Sequence, residues 1–121
     1  MDADDLRIFS SQVQHLIPTL GLRFENPRNG RSLAYSCDTS PCEEVVELAR
    51  DVDFLFHEAS GESEGHSSAA QAGEIASRAR AKSLYLIHYP PASGPESLLA
   101  EARSTYSGPV NLATDFLEIP L

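Results

Sequence analysis

Several side chains that can bind metals or transfer protons follow short apolar runs in this sequence. His15 ends Gln-Val-Gln-His, Asp38 follows Ala-Tyr-Ser-Cys, and His88 ends Tyr-Leu-Ile-His. Glu58 closes Phe-Leu-Phe-His-Glu, and His66 comes next in the small-residue loop Glu-Gly-His-Ser-Ser. Neutral imidazoles combined with a carboxylate suit zinc and related ions. The residue types therefore predict a polar site that binds a metal or moves a proton.

Each of these residues also has a structural interpretation. His15 could cap the end of a strand, and Asp38 could serve in a turn or as a helix N-cap. Glu58 could be a solvated loop acid and His66 the first residue of a helix. Functional side chains of open α/β sheets gather at strand ends, where they share one crevice. Because the candidate residues follow that arrangement, we expect all five, His88 included, to converge at one edge of a sheet.

The elements that must position these residues form an α/β pattern. The N-terminal runs are joined by an Asn-Pro-Arg-Asn-Gly turn and predict antiparallel strands. Helices then alternate with short buried strands, which predicts a βαβαβ section and a mixed sheet. The expected strands are 6–14, 21–25, 32–37, 52–56, Leu84–Ile87, 110–113 and 116–119, and the expected helices are 41–50, 68–80 and 96–106.

The first helix has the clearest start signal. Ser40 is the candidate N-cap, Pro41 suits the first helical position, and Glu43 would complete a capping box. Three short helices cover only one face of a sheet this wide. We therefore expect the other face to be apolar and to seek a partner.

Composition limits the possible partners. The net charge is −9, and the nine Lys and Arg residues are scattered, so the chain is a poor binder of RNA as it stands. Two cysteines, Cys37 and Cys42, do not make a disulfide framework, and we expect free thiols. No apolar run approaches the roughly 20 residues of a membrane span. The acidic N-terminus is unlike a signal peptide, so the expected location is cytoplasmic.

Short motifs in this chain resemble those of metallo-β-lactamase-fold hydrolases, in particular the RNase Z branch. His-Glu-Ala-Ser at 57–60 is similar to the His-Glu-Ala-Thr signature, and Gly-His-Ser-Ser at 65–68 is similar to the His-Ser-Thr segment. Ser-Cys-Asp-Thr at 36–39 resembles Gly-Asp-Thr, and Leu-Ile-His at 86–88 resembles the segment of the last metal ligand. The resemblance covers nearly all of the chain.

The resemblance implies a role for each candidate residue. His15, Asp38 and His88 would be metal ligands, with Asp38 bridging two zinc or manganese ions. His66 would meet the scissile phosphate or the leaving oxygen, and Glu58 would orient His66 and support its charged form. The implied activity is metal-dependent phosphodiester hydrolysis. The implied fold is the C-terminal half of a metallo-β-lactamase αβ/βα sandwich, which makes residues 1–121 a single partial domain.

The sequence departs from the family pattern in ways that affect activity. The His-x-His-x-Asp-His cluster, which supplies two ligands to each metal, is absent from these 121 residues. Cys37 replaces a glycine, Leu22 a tyrosine, and Tyr-Pro-Pro follows His88. A catalytic zinc normally has three protein ligands, so two per ion predict weak or absent metal. We expect this isolated chain to be inactive, with RNA or another phosphodiester a substrate only of an intact enzyme.

A second hypothesis treats the chain as a non-enzymatic interaction module derived from the same fold. Large contiguous apolar patches are rare on soluble monomers. Two copies could cover each other's exposed sheet face, and a two-fold dimer is the commonest closed assembly. The hypothesis predicts a homodimer whose interface consists of Leu, Ile, Val and Phe side chains.

Overall fold

The chain folds around one seven-stranded mixed sheet with its strands in sequence order. The computed structural model describes residues 2–3 and 5–121, with side chains from residue 5 onward. Neighbouring strands from β1 to β4 are antiparallel, and those from β4 to β7 are parallel. The strands are β1 Asp2–Ala3, β2 Leu6–Gln12, β3 Leu20–Glu25, β4 Ser32–Tyr35, β5 Phe54–Glu58, β6 Leu84–Ile87 and β7 Val110–Leu112.

Three helices connect the parallel strands. They are α1 Glu43–Leu48, α2 Ala69–Ala79 and α3 Pro95–Arg103. Parallel neighbours cannot be joined by a hairpin, so each connection carries a helix across the sheet. This confirms the α/β class and the βαβαβ section, with the mixed sheet expected for half of a metallo-β-lactamase fold.

The core lies between the helices and one face of the sheet. Successive side chains of a strand point to opposite faces, so burial alternates along β4, β5 and β6. The fully buried set on the helix side contains Ala34, Leu55, Leu84 and Leu86 from the strands and Ala72, Ile75 and Ala76 from α2. Small residues on α2 let that helix approach the sheet closely.

The α2–α3 contact is closer still, because it involves a glycine. A Cβ atom on Gly73 would lie 2.5 Å from the carbonyl oxygen of Ala102 and 2.3 Å from the hydroxyl of Thr105. That hydroxyl donates a hydrogen bond to the carbonyl of Ala70. The α2 backbone at Gly73 therefore lies directly against the Ala102 carbonyl of α3 and the Thr105 hydroxyl.

The opposite side of the sheet, here called the open face, is only partly buried and largely apolar. Cross-strand pairs place Phe24 beside Leu33, Leu33 beside Phe54, and Phe56 beside Tyr85. The rings of Phe56 and Tyr85 stack with centroids 4.9 Å apart. None of the three helices packs on this side, as the number and length of the helices predict. The open face comprises Phe24, Leu33, Tyr35, Phe54, Phe56 and Tyr85.

The predicted start of α1 was wrong, whereas that of α2 was correct. Cys42 is the N-cap of α1 and makes no side-chain capping bond, so Ser40 and Glu43 form no capping box. The Ser40 hydroxyl instead accepts a hydrogen bond from the Gly65 amide. This bond fixes the loop between β5 and α2. Ser68 caps α2 in a full capping box with Gln71.

Several predicted boundaries moved inward. β2 ends at Gln12 and β4 at Tyr35, α1 ends at Leu48, and α3 ends at Arg103. Beyond α3, the Tyr106 side chain turns into the core and donates to the carbonyl of Ala81. β5 begins later than predicted and extends through Glu58. The predicted strand 116–119 does not form, and Phe116 is fully exposed with a positive φ of 63°.

Among the residues that the structure describes, no helix has the length and apolar character needed to cross a membrane.

Candidate metal centre

Four strands deliver the candidate residues to the same edge of the sheet. β2, β4, β5 and β6 all run in the same direction, so their carboxyl ends meet. His15 follows β2, Asp38 follows β4, Glu58 ends β5, and His88 follows β6. His66 reaches this edge from the loop between β5 and α2. The structure therefore brings all five predicted site residues together.

Asp38 lies between two histidines. Its Oδ1 atom is 2.8 Å from Nδ1 of His88, and its Oδ2 atom is 4.0 Å from Nε2 of His15. The other ring nitrogen of His15 donates to the carbonyl of Gly65 at 2.8 Å. This bond fixes the His15 ring and leaves Nε2 directed toward the carboxylate. Each oxygen of Asp38 thus faces a different imidazole.

Glu58 and His66 form the second pair. Nδ1 of His66 donates to Oε1 of Glu58 at 2.8 Å, and the Glu58 side chain is 0% exposed. The His66 ring centroid lies 5.0 Å from that of His15 and 5.8 Å from that of His88. Because Nδ1 is held by the carboxylate, the Nε2 atom of His66 is the ring atom that remains free.

Hydrogen bonds keep the buried Glu58 charged. Burial alone would raise the pKa of this carboxyl, but the amide and hydroxyl of Ser60 and the amide of Thr39 donate to it. The net result is a pKa below the usual value for glutamic acid. A carboxylate in this state accepts a hydrogen bond from His66 and stays ionised.

Gly65 shapes the loop that carries His66. Its φ is +78°, and a Cβ atom there would lie 2.9 Å from Nδ1 of His15. Its amide bonds to the Ser40 hydroxyl and its carbonyl to His15. Only glycine permits this approach without strain, so Gly65 ties the His15 and Asp38 loops to the His66 loop.

Backbone strain is present beside the site. Cys37 and His88 have φ values of 54° and 51°, a region that residues other than glycine rarely adopt. Cys37, which stands where the family pattern has a glycine, thus has a positive φ of the kind that glycine adopts most easily. Burial, and then the neighbouring charge of Asp38, raise the pKa of the Cys37 thiol, which favours the neutral form. These features leave Cys37 as a weak candidate for a metal ligand.

The donor set fits a transition metal. Asp38, Glu58, His66 and His88 each offer a ligand atom, and these atoms lie within 4.8 Å of one another. Metal-binding histidines usually donate their second ring nitrogen to a carboxylate or a carbonyl. His66 does so to Glu58, and His15 does so to Gly65. Imidazole and carboxylate donors held in this way suit a transition-metal ion better than a cation that binds only oxygen.

Sequence reasoning missed the residues that support the pair. Thr39 and Ser67 are fully buried, and the Ser67 hydroxyl donates to the Thr39 carbonyl while the Thr39 amide donates to Glu58. Ser36 donates from its hydroxyl to the Cys37 carbonyl and accepts from the Glu58 amide. Buried small hydroxyl residues have no periodic signal, and only their adjacency to the motifs could have indicated them.

A family model matches residues 3–89 of this chain, and its description is the beta-lactamase superfamily domain. The chain belongs to this superfamily. The match covers β2 to β6 and includes all five site residues. Together with the ribonuclease Z relative and the solved structures described next, this match confirms the metallo-β-lactamase fold and the RNase Z-like resemblance expected from the motifs.

Curated members of the superfamily resemble the chain in sequence. An uncharacterized protein of Mycobacterium tuberculosis is 39% identical over 112 residues, which cover 88% of this chain and 41% of that protein. A ribonuclease Z of a Cyanothece strain is 41% identical over 109 residues, covering 78% of this chain and 34% of the enzyme. The chain thus spans well under half of the relatives it matches.

Solved structures also match this chain over only part of their length. The metallo-beta-lactamase fold protein YhfI from Bacillus subtilis superposes with a TM-score of 0.87 and 27% identity, covering 94% of this chain and 48% of that one. The short form of human tRNase Z superposes with a TM-score of 0.69 and 26% identity, covering 100% of this chain and 46% of that one. The sheet and its helices correspond to about half of each of these two structures.

Proposed function

We propose that this chain carries the C-terminal part of the active site of a metal-dependent phosphodiesterase of the RNase Z type. The observation that carries the proposal is the bond between His66 and the buried Glu58 beside the Asp38–His88 pair. His15, Asp38 and His88 would hold zinc or manganese. His66 would face the scissile phosphate as a catalytic residue, oriented by Glu58. The similarity to ribonuclease Z supports this reaction class.

The same proposal makes the isolated chain inactive. Only three of the proposed ligands lie within its 121 residues, and the His-x-His-x-Asp-His cluster is absent from them. Three ligands shared between two ions hold each ion weakly, since a catalytic zinc normally has three protein ligands of its own. Residues 1–121 would thus act as a single partial domain that needs the rest of the ligand set in cis or in trans.

RNA is the substrate class that the ribonuclease Z relatives suggest, but the surface of this chain is poorly suited to binding RNA. With a net charge of −9 and nine scattered basic residues, the electrostatic attraction for a phosphate backbone is weak. The phosphate would be bound by the metal and His66 alone. Basic residues for the remainder of an RNA would have to come from outside these 121 residues.

Complementation tests the hydrolase proposal. We would measure turnover of bis(p-nitrophenyl) phosphate with added zinc or manganese, first by the chain alone and then by a fusion to the part of a ribonuclease Z that carries the ligand cluster. We expect no turnover by the chain and clear turnover by the fusion. His66→Ala in the fusion should lower the rate at least 100-fold, whereas Glu62→Gln, in the exposed part of the same loop, should not. Equal rates for both variants would contradict the proposal.

Self-association through the open face is a second candidate function. Six apolar side chains on adjoining strands are only partly covered, and Tyr35 is 39% exposed. A second copy placed face to face would cover both patches with a two-fold interface. We expect such a homodimer to bury roughly 1,600 Å².

Light scattering at micromolar concentration tests the dimer. Phe56→Asp places a charge in the middle of the open face and should convert a dimer to a monomer. Glu96→Gln, an exposed change on α3, should leave the assembly unchanged. A wild-type chain that is monomeric at all concentrations would exclude this second function.

The proposed location is the cytoplasm. Cys37 and Cys42 are both free and partly exposed, which is typical of a reducing compartment. Fractionation of the source cells, followed by thiol labelling of the recovered protein, would test this part of the proposal.

A further inference from the structure

His66 has the geometry of a metal ligand as well as that of an acid–base residue. Its Nδ1 is bonded to Glu58 and its Nε2 is free, which is the usual state of a histidine that binds a metal. The side chain is 21% exposed, so an ion could reach that nitrogen from solvent. In the chain by itself, His66 is therefore available to supply a ligand that the missing cluster does not.

The nearest ligand partners of His66 are Asp38 and His88. With Glu58, they form the group whose ligand atoms lie within 4.8 Å of one another, and His15 is not a member of that group. Two donors on one tetrahedral zinc lie roughly 3.4 Å apart, given bond lengths of about 2.0–2.1 Å. The separations within this group would therefore have to close by at most about 1.4 Å. Asp38 and His88 are 39% and 53% exposed, so their side chains have room to move.

The number of ligands favours one ion over two. Two ions sharing Asp38 would have one histidine each, His15 for the first and His88 for the second. A single ion can take Asp38, His66 and His88 together and keep one position for water. Three protein ligands are the usual number for an open zinc site.

We propose that this chain, when separate from the ligand cluster, binds one transition-metal ion through Asp38, His66 and His88, with Glu58 holding His66 in position. The inference rests on the proposed function, because it uses the same edge of the sheet. It differs in assigning His66 to the metal and in leaving His15 outside the coordination sphere. An ion bound in this way would take up the His66 nitrogen that otherwise faces a phosphate, so this form would bind metal without hydrolysing a phosphodiester.

Cobalt titration of the untagged 121-residue chain tests the inference. We expect visible absorption typical of four- or five-coordinate cobalt, saturating at one equivalent. His66→Gln should weaken binding at least 10-fold, and Glu58→Gln by 10- to 100-fold, the range for removing a partner of a metal-bound histidine. His15→Gln should change the affinity less than threefold. Circular dichroism would confirm that each variant is folded.

Long-range ¹H–¹⁵N spectra of the wild-type histidine rings give a second test that requires no substitution. Adding zinc should shift one nitrogen of His66 and one of His88 to values typical of metal coordination, and leave His15 unshifted. Coordination by His15 and His88 with His66 free would overturn this inference and still support the proposed hydrolase. Absence of any binding at one equivalent of either metal would overturn it as well, whereas the complementation experiment would decide the hydrolase separately.

Discussion

His57 and Glu58 are neighbours in β5, both are 0% exposed, and they face opposite sides of the sheet. Glu58 lies on the side of the open face and is bonded by Ser60, Thr39 and His66. His57 points toward the helix-covered core, where Nδ1 donates to the Glu58 carbonyl. Among the described side chains, its Nε2 is the one buried polar atom that lacks a hydrogen-bond partner. The two side chains are equally buried, but Glu58 has several hydrogen-bond partners whereas one ring nitrogen of His57 has none.

The difference teaches where this fold uses its polar groups. On the site side, Glu58 stays charged because several hydrogen-bond donors surround its carboxylate. Those donors, such as Thr39 and Ser60, are loop residues at the strand ends. On the core side, burial lowers the pKa of His57 and favours its neutral form, despite the hydrogen bond to the Glu58 carbonyl. A buried polar atom without a partner lowers stability, whereas a buried charge with several hydrogen-bond donors is strongly destabilising only when those partners are removed.

The largest expected effect is the loss of Glu58. Glu58→Ala leaves the Ser60 and Thr39 donors buried without an acceptor and removes the partner of His66. We expect a loss of about 3 kcal/mol in the free energy of unfolding. Urea denaturation followed by circular dichroism measures it, with Glu62→Gln as the exposed control. A loss no larger than that of the control would remove the contrast between the two residues.

Ser60→Ala should have an intermediate effect. It deletes one hydrogen bond to the charged carboxylate, 2.8 Å long, and leaves the Ser60 amide bond in place. A hydrogen bond to a charged group contributes about 1.5 kcal/mol or more to stability. The same denaturation experiment applies, and the exposed hydroxyl of Ser104 provides a matched Ser→Ala control. If Ser60→Ala equals Glu58→Ala, a single bond rather than the set holds the carboxylate.

The other side of the comparison predicts a small effect. His57→Leu removes one hydrogen bond and also the unpartnered Nε2 atom, and it adds an apolar side chain of similar size to an apolar core. We expect a change within about 1 kcal/mol of zero. A loss as large as that of Glu58→Ala would show that His57 has a partner in solution, such as a buried water.

The smallest expected effect is on the pH dependence of stability. The pKa of His57 is lowered from 6.5 by burial, so the unfolded chain takes up this proton first as the pH falls. Its contribution is fully present above that value and is lost as the pH falls toward the pKa of the folded state. His57→Leu should therefore flatten the pH dependence of the free energy of unfolding between pH 6.5 and pH 4.5, the usual pKa values of histidine and glutamic acid. The Glu58 contribution is lost only below its usual value of 4.5, outside this window. Identical slopes for both proteins would contradict the assignment.

The sequence predicted the site residues at the strand ends well because each polar residue comes directly after a recognisable apolar run. His15, Asp38, Glu58 and His88 each follow an apolar run, and the direction of the strands then places them at one edge. It failed at Ser40, because a capping motif and a loop-fixing hydroxyl have the same local pattern. It also failed at residues 116–119, where alternating apolar residues indicate a strand but nothing in the described chain pairs with them. The contrast between His57 and Glu58 depends on which face each occupies, and that follows from the register with β6 and not from the motif.

Gly73 has a consequence for how this chain can vary. Where aliphatic side chains separate two helices, a substitution can be absorbed by a different rotamer or a small tilt. At Gly73 the contact is with the backbone carbonyl of Ala102, which has no rotamer to change. The smallest possible addition, a single methyl group, would have to push α3 away from α2 and disturb the Thr105 bond with them. The spacing of α2 and α3 thus depends on the absence of a side chain at Gly73. Substitutions elsewhere in α3 are tolerated only if they keep this distance.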